Sequence, residues 1–252
     1  MTYRLPVAAL AALSLWAATS CGASDTAPDT GETEVGVAGW GDGLVDHQAG
    51  YRLSEVRAEG ARADRIRFEL ESGQAQVGEL TSWYWSADLR YFERAAARPT
   101  RDGGWEAVFP EGLGGPGHLV VAFDTGEDEV GDLVLGTDLV APAAQRRPTE
   151  VPVADGDVQK VGTYDVALSG DLLLAQPSTL MLSVTSAGTQ VEYDEAEVAA
   201  VSIASGAFVR FETGPDGTFS GTPSSPGRFR LKVDLTVAGQ PVHALFERTA
   251  FG

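Results

Sequence analysis

The sequence predicts an all-β chain of two tandem immunoglobulin-like β-sandwiches. Three observations carry that prediction: apolar residues that alternate with period two, turn residues at short intervals, and an internal repeat of about 110 residues. Alternation is clearest at Ile66, Phe68 and Leu70, and again at Leu180, Leu182 and Val184. Phe229, Leu231, Val233 and Leu235 alternate with Arg228, Arg230, Lys232 and Asp234, which reads as an amphipathic strand with one wet face. No sustained helical stripe follows residue 40; AEVAAV is too short to make one. Turn signals such as Ser72-Gly73, Asp102-Gly103, Ser169-Gly170 and Pro215-Asp216-Gly217 divide each half into about seven short strands. The Cys-Trp-Cys core of antibody domains is missing, so the likeness is one of architecture.

The repeat is read from four pairs in the same order. Gly50-Tyr51 is matched by Gly162-Thr163-Tyr164, Gln76-Val77 by Gln190-Val191, Asp102-Gly103 by Asp216-Gly217, and Pro116-Gly117 by Pro226-Gly227. Their offsets are 113, 114, 114 and 110 residues, and each Pro-Gly is followed by a strand-like run ending at Asp124 or Asp234. The expected layout is a signal segment at 1–20, a flexible acidic tether at 21–48, one sandwich at 49–140, a proline-bearing linker at 141–160 and a second sandwich at 161–252.

Arg4 followed by the apolar run Leu5 to Ala18 has the plan of a signal peptide, and about 14 residues are too few to span ~30 Å of hydrocarbon. The run closes on Ala18-Thr19-Ser20-Cys21, which resembles the bacterial lipobox with Ala18 where leucine is usual. That resemblance implies cleavage before Cys21, lipidation of its sulfur, and a chain held on the extracytoplasmic side of the cell membrane. The alternative is an ordinary secretory signal with an incidental cysteine. Cys21 is the only cysteine, so the chain has no internal disulfide and no cysteine-based metal site.

With 36 acidic and 18 basic side chains the net charge is −18. Such a body repels phosphate and excludes both nucleic acid and a polybasic membrane contact. Lysine occurs only at 160 and 232, and asparagine is absent. No nucleophile elbow, phosphate-cradling glycine loop or histidine beside a serine or cysteine motif is present, so no enzyme and no cofactor is predicted. The acidic runs Asp124 to Asp132 and Asp155-Gly-Asp157 fit no defined calcium loop. His47, His118 and His243 are scattered and read as tether, surface or edge residues.

Both halves resemble a family of secreted or membrane-tethered actinobacterial proteins described as YtkA-like or heavy-metal-binding. The carriers are the opening Gly-Tyr, Asp88-Leu89 with Phe92, Asp102-Gly103-Gly104-Trp105, and Pro116-Gly117. The resemblance implies tandem immunoglobulin-like domains and a metal held by a Phe-x-His-x-His-Pro segment with a histidine upstream. Here Arg94 and Ala96 stand in those two positions with Thr81 upstream; in the second half they are Arg210 and Glu212, with Glu197 upstream. A guanidinium repels a cation, so metal binding is not carried over, and Glu197 with Glu212 is left as the weak candidate pair.

Trp83, Tyr84, Trp85, Tyr91 and Phe92 form an aromatic cluster. Trp83 and Trp85 share one strand face and Tyr84 takes the other. Beside Arg90 and Arg94, one set is either an exposed surface for an envelope protein or glycan, or part of two packed sheet faces with an interdomain contact. The function expected is a lipid-anchored extracytoplasmic binding module without catalytic activity. The alternatives are handling of copper or another divalent cation by carboxylates, and a purely structural role.

Overall fold

The chain divides into two compact units, Met1–Gly36 and Val37–Gly252. The computed structural model describes residues 41–60, 63–72, 77–126, 132–141, 152–154 and 156–252, all in the second unit. Cys21 and the signal segment lie outside them.

The first half contains β1 (His47–Gln48), β2 (Tyr51–Glu59), β3 (Arg65–Ser72), β4 (Leu80–Ser86), β5 (Phe92–Pro99), β6 (Trp105–Val108), β7 (Gly117–Asp124) and β8 (Asp132–Leu139). Their hydrogen-bonded order is β1-β2-β3-β6-β5-β4-β7-β8. Only three residue pairs, Ala97–Ala107 to Pro99–Trp105, join β5 to β6. At that corner the sheet folds over, setting β2, β3 and β6 against β5, β4, β7 and β8. The alternating residues Leu53, Ile66 and Phe68 face Tyr84, Leu119, Val121, Phe123, Leu133 and Leu135 in one core.

The second half follows with β9 (Val158–Val161), β10 (Tyr164–Ser169), β11 (Leu172–Leu173), β12 (Ser178–Ser186), β13 (Thr189–Gln190), β14 (Glu195–Ser202), β15 (Phe208–Thr213), β16 (Thr218–Gly221), β17 (Gly227–Val237) and β18 (Gln240–Phe251), with one 3₁₀ turn at Pro215–Gly217. The central order β10-β12-β16-β15-β14-β17-β18 reproduces β2-β3-β6-β5-β4-β7-β8 strand for strand. A separate core of Val166, Leu180, Leu182, Phe211, Phe219, Phe229 and Leu231 fills it. The fold is therefore all-β and consists of tandem immunoglobulin-like sandwiches of three plus four strands.

Several strands of each half are buried on both faces. In β4, Leu80 and Tyr84 enter the core, while Trp83 and Trp85 point the other way and are equally buried. In β17, Leu231 and Val233 enter the core, yet Lys232 on the opposite face is only 3% exposed. At Arg230 and Lys232 the wet face expected for this strand is covered by the first sandwich.

The acidic stretch 41–48, which the sequence assigns to the tether, lies against the first sandwich. Val45 O accepts from Gly136 N, and Asp46 O from Leu53 N, before β1 pairs with β2. Gly43 has a φ of 68°, and a Cβ there would stand 2.7 Å from Val120 Cγ2. Glycine is what lets the strap pass so close.

Truncating a fully buried core residue tests this division of faces. Leu231→Ala is expected to lower the unfolding free energy by about 2–5 kcal/mol, and Val158→Ala, at an exposed edge position, by less than about 0.5 kcal/mol. Urea unfolding of both variants measures the contrast.

Candidate functional site: the seam between the sandwiches and the cleft at its end

The outer faces of the two four-stranded layers pack on each other. Trp83, Trp85, Leu89, Phe92, Val120, Ala122 and Val134 from the first half meet Ala199, Val201, Phe208 and Leu245 from the second. Phe208 is the anchor. Its ring lies 5.0 Å from that of Trp83 and 6.0 Å from that of Trp85, parallel to the latter within 5°. Trp85 also meets Phe92 edge-on at 5.8 Å, and the Arg210 guanidinium lies 5.8 Å from the Trp83 ring.

The two faces use equivalent positions. In the first half Trp83 pairs with Arg94 and Trp85 with Phe92; in the second Ala199 pairs with Arg210 and Val201 with Phe208. A uniform offset of 116 residues relates the two sets. The positions that the family resemblance would fill with histidine therefore lie on the seam face of each half. Arg94 Nε stands 2.5 Å from Glu197 Oε2, and Arg210 Nη2 is 3.7 Å from Glu197 Oε1. Burial pushes the Glu197 carboxyl above its ordinary value, and the two guanidinia offset this only in part.

Glu197 and Glu212 are not paired with each other in the sheet. The ladder between β14 and β15 ends at Val198–Phe211, and at Glu212 the chain crosses to β16, opposite Ser220. Among the described residues no three histidine, cysteine, aspartate or glutamate side chains converge to hold a metal. Asp124 Oδ1 accepts from Gly126 N as a turn cap, and Asp157 pairs with Arg248 at 2.9 Å. Residues 127–131 and Asp155 of the two acidic runs fall outside the described residues.

The aromatic cluster forms no exposed surface and instead fills two packed sheet faces and an interdomain contact. Tyr84 and Tyr91 belong to the first core, 5.9 Å apart, and Tyr84 Oη donates to Gly115 O. Burial raises the phenol pKa of both. Trp83 and Trp85 belong to the seam. No ring of the four is exposed, because both faces of β4 are covered.

A second polar group crosses the seam. Lys232 Nζ lies 2.7 Å from Glu93 Oε2 and 3.4 Å from Asp234 Oδ1, and Asp234 Oδ1 is 2.6 Å from His243 Nδ1. Arg230 Nη1 donates to Leu89 O at 3.3 Å and pairs with Glu247 at 2.7 Å. Burial acts to raise the Asp234 carboxyl, but the His243 hydrogen bond and Lys232 outweigh it and hold the carboxyl low. The same hydrogen bond raises the His243 imidazole.

The strap completes the seam. Asp42 O accepts from Phe208 N of the second sandwich, while Gly43 O lies 2.8 Å from His118 Nε2 of the first. His118 Nδ1 is 2.8 Å from Asp138, and its ring sits 5.0 Å from that of Trp85. With a side chain 15% exposed, His118 is a clasp for the strap and not the surface residue the sequence suggested.

Where the strap leaves the seam there is a cleft of about 850 Å³. Its walls are the strap (44–46), the end of β8 (137–140), the β4–β5 turn (87 and 89) and the β14–β15 turn (202–206), with Trp85 and His118 between them. Leu44 and Val45 are 43% exposed and Val140 is 88% exposed. The walls of this cleft come from segments far apart in the chain, so no local pattern announces it.

No family model and no curated protein matches the chain. Solved structures that it resembles are tandem-domain proteins. The tetra-tandem repeat in the extending region of a large adhesion protein is 12% identical with a TM-score of 0.25, covering 80% of this chain and 49% of that one. The Ig1-2 module of the Drosophila receptor protein tyrosine phosphatase DLAR is 8% identical with a TM-score of 0.24, covering 80% and 99%. The FN1-FN3 domains of chicken CNTN1 are 13% identical with a TM-score of 0.23, covering 80% and 65%. This chain thus spans about half the length of the adhesion-protein structure. Likenesses so slight leave the reading of the site to its own residues.

Two measurements test the seam. Phe208→Ala is expected to cost about 3–5 kcal/mol and to shift tryptophan emission to the red as Trp83 and Trp85 meet water. For His243, a raised folded pKa makes its stabilisation complete below its ordinary value of about 6.5 and lost as pH rises through the folded value. Unfolding free energy should therefore fall as pH rises above about 6.5, and His243→Gln should flatten that fall.

Proposed function

We propose that the chain is a lipid-anchored extracytoplasmic binding module without catalytic activity, tethered through Cys21 and engaging an envelope protein at the cleft. The observation that carries this reading is how the sandwiches spend their surfaces. The seam covers one face of each, and exposed apolar side chains gather beside the concavity left at its end: Leu44, Val45 and Val140. Apolar patches left in water at a concave site mark places where a partner binds. The ionisable side chains of the cleft are Asp46, His118 and Asp138.

The anchor is supported by the apolar run Leu5 to Ala18 and the small residues before Cys21. Among the described residues no helix is long and apolar enough to cross a membrane. We read the YtkA-like resemblance as a scaffold whose metal positions have become seam residues. Arg94 and Arg210 occupy them and share Glu197, which leaves a metal-handling role without a ligand set there.

Site-specific photo-crosslinking of the full chain on intact cells tests the proposal. A photoreactive residue at Val140 should give a protein adduct that the same residue at Met181, an exposed position on the second sandwich, does not. Equal labelling at both positions, or none at 140, counts against the docking site. In the same cells Cys21→Ser should move the chain out of the membrane fraction, and retention there rules out the anchor.

A further inference from the structure

The lining of the cleft has an uneven chemistry. Among its residues there is no lysine, arginine or glutamate, although the chain carries 18 basic side chains. Its fixed charges are the carboxylates of Asp46 and Asp138. Asp138 turns one oxygen to His118 Nδ1 and is otherwise 94% exposed. Asp46 holds His47 at 2.8 Å, and that hydrogen bond keeps its carboxyl below the ordinary range, so it remains ionised. The lining also holds the apolar side chains of Leu44, Val45 and Val140, together with Trp85. A net charge of −18 on the whole chain adds a long-range pull on cations.

We propose that the cleft takes an extended peptide segment of a partner protein in which apolar side chains alternate with arginine or lysine. This rests on the reading of the cleft as the docking site and names what docks. Extended chain puts successive side chains on opposite sides, so a two-residue period sends one set to Leu44, Val45 and Val140 and the other to the carboxylate rim. The walls are strand ends and turns from five separate segments. They offer a broad open surface, whereas a small amine needs an enclosing pocket to leave water. An acidic segment would meet Asp46 and Asp138 with no lysine or arginine in the lining to receive it.

The test uses the full chain and three blocked peptides: Leu-Arg-Leu-Arg-Leu, Leu-Glu-Leu-Glu-Leu and Ser-Arg-Ser-Arg-Ser. Binding is followed by tryptophan fluorescence at about 0.15 M salt, where diffuse attraction is screened beyond about 8 Å. The first peptide is expected to bind, and the second and third at least tenfold more weakly. Asp138→Asn and Val140→Ser should each weaken the first about fivefold or more. Asp171→Asn, an exposed acid outside the cleft, should leave it unchanged. Silence toward the first peptide overturns the proposal, as does equal binding of the glutamate peptide or an equal loss in Asp171→Asn. Crosslinking at Val140 combined with silence toward the arginine peptide overturns the partner chemistry alone. Failure of both removes the docking site as well.

Discussion

The ring of Phe208 resting on Trp83 and Trp85 is the contact on which the arrangement of this protein depends. Each sandwich has its own core and its own strand ladder. Neither core reaches the other. What makes them one body is a thin apolar layer in which Phe208 supplies most of the ring contact, and everything polar at the seam is arranged around it. Arg210 lies over Trp83 and turns to Glu197, Arg94 approaches the same carboxylate from the other sandwich, and the strap fastens to the Phe208 backbone. Burying that layer has an electrostatic cost. Lys232 and Glu197 lose water, and each is balanced by opposite charges only because strands from both halves bring them there.

Much of the fold is legible in the residues. Ile66-x-Phe68 and Leu180-x-Leu182-x-Val184 announce strands with one covered face, and they lie on β3 and β12, in the layers away from the seam. The four ordered pairs announce duplication, and strand order repeats accordingly. The seam is less legible because a period of two says that a strand has two faces without saying what covers the second. The signal was present elsewhere, in the unbroken runs Leu119-Val120-Val121-Ala122-Phe123 and Val198-Ala199-Ala200-Val201. A run without alternation marks a strand buried on both sides. Charged residues hid the same fact on β17, where Arg230 and Lys232 look solvated in one dimension and reach Leu89 O and Glu93 across the seam in three.

The candidate residues divide along the same line. Trp83 and Trp85 were rightly seen to share a face, but exposure depends on a second sandwich that no local pattern describes. For Glu197 and Glu212, a change of ladder partner at the end of β15 sets Glu212 opposite Ser220. His118 looked incidental because its partners, Gly43 and Asp138, are 75 and 20 residues away. The cleft depends on strap, turn and strand ends at once, and such a site is a property of tertiary structure alone.

Duplication left the two halves with one backbone plan but opposite relief. At matched positions the first half carries Trp83 and Trp85, and the second carries Ala199 and Val201. Two copies of the first half set face to face would crowd four indoles into a space that holds two. Two copies of the second would face each other across a gap. The mixed pair fills the volume, and each half is shaped as the complement of the other.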